Sequence, residues 1–146
     1  MPVLPPKIRL FSVQHNGVFV FVSNDMAGPD HVVEAHPADE GRNLFETQDL
    51  GGGNVRLFNP ATGMFLFVSN DMEGADHVVE GHPFRDEDRN AFTPLRQADG
   101  SFTFFHPGTG TFMFVSNDTR GNDFVIEAHK PDELRNRFQV RLPPGQ

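Results

Sequence analysis

Residues 21–45 read FVSNDMAGPDHVVEAHPADEGRNLF, residues 67–92 read FVSNDMEGADHVVEGHPFRDEDRNAF, and residues 114–138 read FVSNDTRGNDFVIEAHKPDELRNRF. The copies begin at Phe21, Phe67 and Phe114, so their offsets are 67 − 21 = 46 and 114 − 67 = 47 residues. Self-similarity at one fixed period marks an architecture assembled from repeated supersecondary units. Three such copies in 146 residues are not a product of chance. The units cover about 7–53, 54–100 and 101–146, the repeated segments leave only short tails at residues 1–6 and 143–146, and they imply one domain over residues 1–146.

Each unit reads as four short strands. In the second copy they fall at about 54–58, 64–69, 77–82 and 90–96. Turn signals separate them: Pro60-Ala61-Thr62-Gly63, then Asn70-Asp71-Met72-Glu73-Gly74, then the charged run 85–89, then Ala98-Asp99-Gly100. No segment sustains a 3.6-residue apolar period, so long helices are not expected. Three copies of four strands give twelve. An all-β chain of this length with threefold repetition predicts a β-trefoil, in which six strands form a barrel and three hairpins close it. Three units are too few for a propeller, and no distinct caps mark a solenoid.

Composition narrows the chemistry. The chain has 16 Phe but no Trp and no Tyr, which predicts a Phe-centred core with Val and Leu around it. It has no Cys, so disulfides, thiolate metal sites and a Cys nucleophile are excluded. A net charge of −8 argues against a nucleic-acid partner, which usually requires a basic surface. No apolar run approaches the ~20 residues that span a bilayer, so membrane insertion is not expected. The opening MPVLPPKIRL lacks the apolar centre of a secretory signal peptide, which implies a cytoplasmic protein or one exported by another route.

Asn59-Pro60-Ala61-Thr62-Gly63-Met64-Phe65-Leu66 resembles the N-x-x-[ST]-G-x-[aromatic or Cys]-L opening of ricin-B-type trefoil repeats. Asn43-Leu44-Phe45, Asn90-Ala91-Phe92 and Asn136-Arg137-Phe138 stand where that family has Q-x-W. The order Val33 to His36, then Asp39, Glu40, Arg42 and Phe45, is loosely similar to the mussel galactose-binding trefoil lectins. These resemblances imply a trefoil fold and a glycan partner, with galactose or N-acetylgalactosamine as the first sugars. The families' sugar contacts do not transfer whole. Phe21, Phe67 and Phe114 occupy the position of the ricin-B Asp, and the mussel His-Pro-x-Gly-Gly loop is absent.

The polar residues that recur in every copy are the candidate site. They are Ser23, Asn24, Asp25, Asp30, Glu34, His36, Arg42 and Asn43 in the first copy. Ser69, Asn70, Asp71, Asp76, Glu80, His82, Arg89 and Asn90 follow in the second. The third has Ser116, Asn117, Asp118, Asp123, Glu127, His129, Arg135 and Asn136. Strand alternation puts His31, Val33 and Ala35 on one face and Val32, Glu34 and His36 on the other, with Glu34 and His36 ~7 Å apart. A hairpin loop starting at Ser23-Asn24-Asp25 would fold beside that face and complete a shallow polar cup. Carboxylate, imidazole and amide together suit the paired hydroxyls of a sugar. The expected carbohydrate contacts are therefore Asn24, Asp25, Glu34, His36, Asn70, Asp71, Glu80, His82, Asn117, Asp118, Glu127 and His129.

Each of these residues also has a structural reading. Ser-Asn-Asp is a common turn former, and Glu34 has Arg42 as a candidate ion-pair partner. The Phe of each FVSND reads as packing rather than a stacking platform. His15, His31, His77 and His106 do not recur threefold and read as surface residues. One recurring His per copy is too few for a zinc set and no EF-hand spacing is present, so neither a metal nor another cofactor is expected. No nucleophile or phosphate-loop motif appears, so the chain reads as a non-enzyme. The sequence thus points to a lectin with up to three equivalent shallow sites, gaining avidity of roughly 10²–10⁴ on clustered glycans. The alternatives are a structural or protein-binding trefoil, such as a protease inhibitor or fascin-like module, and an engineered, symmetrised trefoil without a ligand.

Overall fold

The strands of the first repeat are β1 (Lys7–Ser12), β2 (Phe19–Ala27), β3 (Asp30–His36) and β4 (Phe45–Gly51). The second has β5 (Asn54–Asn59), β6 (Met64–Glu73), β7 (Asp76–His82), a single helical turn α1 (Glu87–Asn90) and β8 (Thr93–Arg96). The third has β9 (Phe102–His106), β10 (Thr111–Arg120), β11 (Asp123–His129) and β12 (Phe138–Arg141). This computed structural model describes residues 4–13, 18–27, 30–36, 43–73, 76–83, 87–120, 123–130 and 136–141.

The first and last strands of each repeat make a closed barrel. β1 pairs with β4, β4 with β5, β8 with β9, β9 with β12, and β12 with β1, all antiparallel. β5 meets β8 through Val55 and Phe92, whose backbones exchange hydrogen bonds of 2.8 and 2.9 Å. Closure removes the free edges that an open sheet would expose. The second and third strands form the hairpins β2–β3, β6–β7 and β10–β11.

The third strands also pair with one another. Val32 faces Glu80, Val78 faces Glu127, and Val125 faces Glu34. β3, β7 and β11 therefore close a triangle over one end of the barrel. Twelve strands in this order, with one barrel and a triangle of hairpins, are the β-trefoil.

The core repeats in threes. Leu10, Leu57 and Phe104 are fully buried, as are Phe45, Phe92 and Phe138, then Val20, Leu66 and Met113, and then Val33, Val79 and Ile126. Phe thus fills the barrel at only some levels, with aliphatic residues between. Gly81 breaks the pattern set by Ala35 and Ala128. A Cβ there would lie 3.3 Å from Met64 Cβ and 3.4 Å from Val22 Cγ1, so Gly spares a crowded contact.

Two local expectations are corrected. Asn24-Asp25, Asn70-Asp71 and Asn117-Asp118 are not in the hairpin turns but within β2, β6 and β10. Each hairpin shifts register there, between Val22 and Met26, Val68 and Met72, and Val115 and Thr119. A β-bulge absorbs the extra residues and lets poor strand formers stay in the ladder. The fourth strand of the second repeat starts at Thr93 rather than at Asn90, because α1 holds residues 87–90.

The ring of Phe92 closes the barrel centre. Phe92→Ala is expected to lower the unfolding free energy by about 3–5 kcal/mol. The check is a urea titration, with the midpoint falling at unchanged slope.

Candidate functional site

Alternation holds on β3: Val33 and Ala35 enter the core, while Val32, Glu34 and His36 take the opposite face. That opposite face is not open. Glu34, Glu80 and Glu127 are 2, 3 and 2 % exposed, and His36, His82 and His129 are 9, 3 and 6 % exposed. The outward polar cup expected from the sequence is therefore not formed, and these six side chains are buried rather than offered to a ligand.

They make a second packed layer. His36 stacks on Phe21 with centroids 3.7 Å apart and planes 11° from parallel. His82 stacks on Phe67, and His129 on Phe114, each at 3.8 Å and 14°. The FVSND phenylalanines are thus packing residues, and each lies directly across its hairpin from a Glu: Phe21 from Glu34, Phe67 from Glu80, Phe114 from Glu127. The His36 Nε2–H donates to Asn43 Oδ1 at 3.3 Å, and the His129 Nε2–H to Asn136 Oδ1 at 2.7 Å, since an amide oxygen only accepts. The Arg89 guanidinium lies 5.1 Å from the Phe67 ring centroid, covering it from the chain that returns through α1. Alternation gives the side of the strand correctly. It does not say that returning chain covers that side.

The backbones of Asn24, Asp25, Asn70, Asp71, Asn117 and Asp118 run in the bulged strands. Their side chains lie outside the described part of the protein, as do residues Arg42 and Arg135. His15 also lies outside it.

The three remaining histidines are structural. His31 Nδ1 is 2.8 Å from the Ser23 carbonyl and His77 Nδ1 is 2.8 Å from that of Ser69, so both donate across the bulge. His106 is fully buried. It stands where the second repeat has Asn59, whose Oδ1 accepts from Thr62 N at 3.0 Å and whose Nδ2 donates to Leu44 O at 2.9 Å. His106 Nδ1 accepts from Thr109 N at 3.2 Å, so its Nε2 carries the proton donated to Arg89 O at 2.7 Å. Both residues tie a turn to the end of the preceding repeat, and each turn closes on a glycine at positive φ, Gly63 or Gly110. Among the described residues, no three His, Asp or Glu side chains gather as a metal-ligand set.

An open concavity lies elsewhere. A cleft of about 290 Å³ is lined by Val13, Asp99, Gly100, Ser101, Gln139, Val140 and Arg141. The β8–β9 turn forms one wall and β12 the other. Asp99 Oδ1 accepts from Ser101 N at 2.9 Å and from Ser101 Oγ at 2.6 Å, an Asx turn that fixes the carboxylate. These bonds, the hydroxyl first, hold the Asp99 carboxyl below its ordinary value of 3.8. Arg141 Nη2 donates to Gln139 Oε1 at 3.0 Å, and its guanidinium lies 3.8 Å from the Phe11 ring centroid. Asp99, Gln139 and Arg141 are exposed.

Threefold matching misses this cleft because its residues are the ones that differ between repeats. Three residues beyond Phe138 is Arg141, beyond Phe45 is Gln48, and beyond Phe92 is Leu95. Comparing the copies for their differences as well as their identities would have marked Arg141.

The trefoil assignment agrees with solved structures. The chain superposes on the designed threefold-symmetric protein ThreeFoil with a TM-score of 0.81 at 16 % identity, over 94 % of this chain and 99 % of that one. It is similar to a chain of the Haemophilus ducreyi cytolethal distending toxin, with a TM-score of 0.76 at 12 % identity, over 100 % and 91 % of the two chains. It is also similar to the Polyporus squamosus lectin, with a TM-score of 0.75 at 13 % identity, over 94 % of this chain and 49 % of that one. At these identities the likeness is one of fold, shared by a designed protein, a toxin and a lectin alike, and it does not single out the ricin-B group. No family model and no curated protein matches the sequence.

Burial makes the repeated acids stability residues. Glu34→Ala, Glu80→Ala and Glu127→Ala are each expected to lower the unfolding free energy by about 1–3 kcal/mol, the cost of stranding buried partners, as read by urea unfolding. Asp99 is expected to titrate below 3.8 by NMR of its side-chain carbon, and Ser101→Ala to move the midpoint up. Because its folded value is depressed, the bond's contribution to stability is present above the unfolded value and is lost as pH falls through the folded one.

Proposed function

We propose that this chain is a non-catalytic carbohydrate-binding module that takes one sugar residue in the cleft between the β8–β9 turn and β12. The observation that carries this reading is the convergence of Asp99, Ser101, Gln139 and Arg141 on one open concavity. A carboxylate oxygen accepts from ring hydroxyls, an amide both accepts and donates, and a guanidinium donates, which is the set that vicinal hydroxyls require. Val13 supplies apolar surface for the C–H face of a ring. The volume, about 290 Å³, sits at the small end of the ~300–1,000 Å³ range of ligand sites and suits a single ring. The P. squamosus lectin, of the same fold, is described as bound to a glycan epitope, which supports the fold as a carrier of sugar sites.

The reading differs from three equivalent sites. The counterparts of Arg141 are Gln48 and Leu95, and Thr93 Oγ1 bonds Asn54 Oδ1 where Gln139 and Ser101 stand in the cleft. Among the described residues, the counterpart positions therefore lack this donor set. Galactose and N-acetylgalactosamine, the sugars to which the mussel-lectin resemblance points, are the first to assay.

The test is a glycan array with the intact chain, followed by calorimetry on the best sugar. Gln139→Ala is expected to weaken binding about tenfold at unchanged melting temperature, and Asp99→Ala to weaken binding and also lower the melting temperature, because it removes the Asx turn. Glu80→Gln is expected to lower the melting temperature and leave the array pattern unchanged. A silent array at high protein concentration overturns the reading in favour of a protein-binding trefoil.

A further inference from the structure

We infer that the sugar held in this cleft is an acidic one, a saccharide that carries a carboxylate beside free hydroxyls. The inference rests on the sugar-binding reading of the same cleft. It starts from two opposite charges that line the same cleft, Asp99 and Arg141. Asp99 spends Oδ1 on Ser101, while Arg141 uses Nη2 on Gln139 and has its guanidinium carbon 3.8 Å from the Phe11 centroid. A guanidinium carries five donors in a planar fork, so one bond to Gln139 leaves donors that match a carboxylate.

The surroundings of Arg141 favour an anion. Arg9 stands directly opposite Arg141 across the β1–β12 pair, so the two side chains share one face of the barrel. Like charges in that position repel. Arg9 is 5.5 Å from the Phe19 centroid, and Arg141 is 3.8 and 6.0 Å from those of Phe11 and Phe19. Two guanidinium groups thus stand on one face of a chain whose net charge is −8.

A bare anion would leave Asp99 and Gln139 unused, and a neutral sugar would leave the guanidinium edge unused. A carboxylated saccharide uses both walls, its carboxylate on Arg141 and its hydroxyls on Asp99 and Gln139. The counterpart positions in the other repeats do not offer the combination, because Gln48 and Leu95 replace Arg141 there.

The test titrates the intact chain with a glucuronate-terminated and a sialate-terminated oligosaccharide, with the methyl ester of each, and with sodium acetate. At least one acid is expected to bind about tenfold more tightly than its ester at low salt, and that advantage shrinks as salt screens the charge. Arg141→Gln is expected to level acid and ester, and Arg141→Lys to restore part of the difference. Equal binding of both acids and their esters, or binding of neutral glycans alone, overturns the acidic class and leaves the sugar reading standing. Acetate binding as tightly as the acids overturns the saccharide requirement. Failure of every probe together with a silent array overturns both.

Discussion

The closed triangle of β3, β7 and β11 is the constraint on which the rest of the molecule depends. Each of these strands pairs with the other two as well as with its own hairpin partner. Such closure works only when the three hairpins reach the axis at the same height and in the same register. A one-residue slip in any of them would turn its whole set of side chains to the wrong face. That demand accounts for the near-identity of the FVSND and VVE segments, and for a bulge at the same place in each hairpin. It also buries both faces of the strands, so polar residues there must be held by other protein groups. The Phe–His stacks and the His–Asn bonds meet part of that need.

Much of the fold was legible because it is periodic. The repeat length fixed the count of strands, and alternation placed Val33 in the core and Glu34 opposite it. The covering of the second face was not legible. Whether Glu34 meets water depends on chain that returns after the hairpin, near Asn43, and alternation carries no information about that. His106 illustrates a second limit. Chemically it differs from Asn59, yet an Nδ1 acceptor and an Nε2 donor reproduce the two ends of an amide, so the same turn is tied to its predecessor in both repeats. A search for matching letters passes over that equivalence.

Departures from threefold symmetry separate into two kinds. Some are compensated by packing. Gly81 spares a close contact with Met64 and Val22, and His106 does the work of Asn59. Arg141, Gln48 and Leu95 are different. They share one position on the outside of the barrel, where packing makes little demand, and their chemistry runs from cation to amide to alkyl. No compensating change in the core goes with that series. Variation of this sort in a duplicated body marks the surface on which the copies are free to take separate roles. The cleft sits on that surface, whereas the shared Phe, Glu and His of the hairpins are buried.

A cleft built this way gains its precision from the parts that never touch a ligand. Its walls are a tight turn locked by Asp99 and Ser101 and a strand hydrogen-bonded on both sides, to β1 and to β9. Neither wall needs to be ordered when a ligand arrives, so less of the interaction energy is lost to fixing the site. Strength beyond that of one shallow site comes from several copies acting together or from a charge-assisted contact, and the Arg141 guanidinium, 3.8 Å from the Phe11 centroid, is a group in the cleft able to supply the latter.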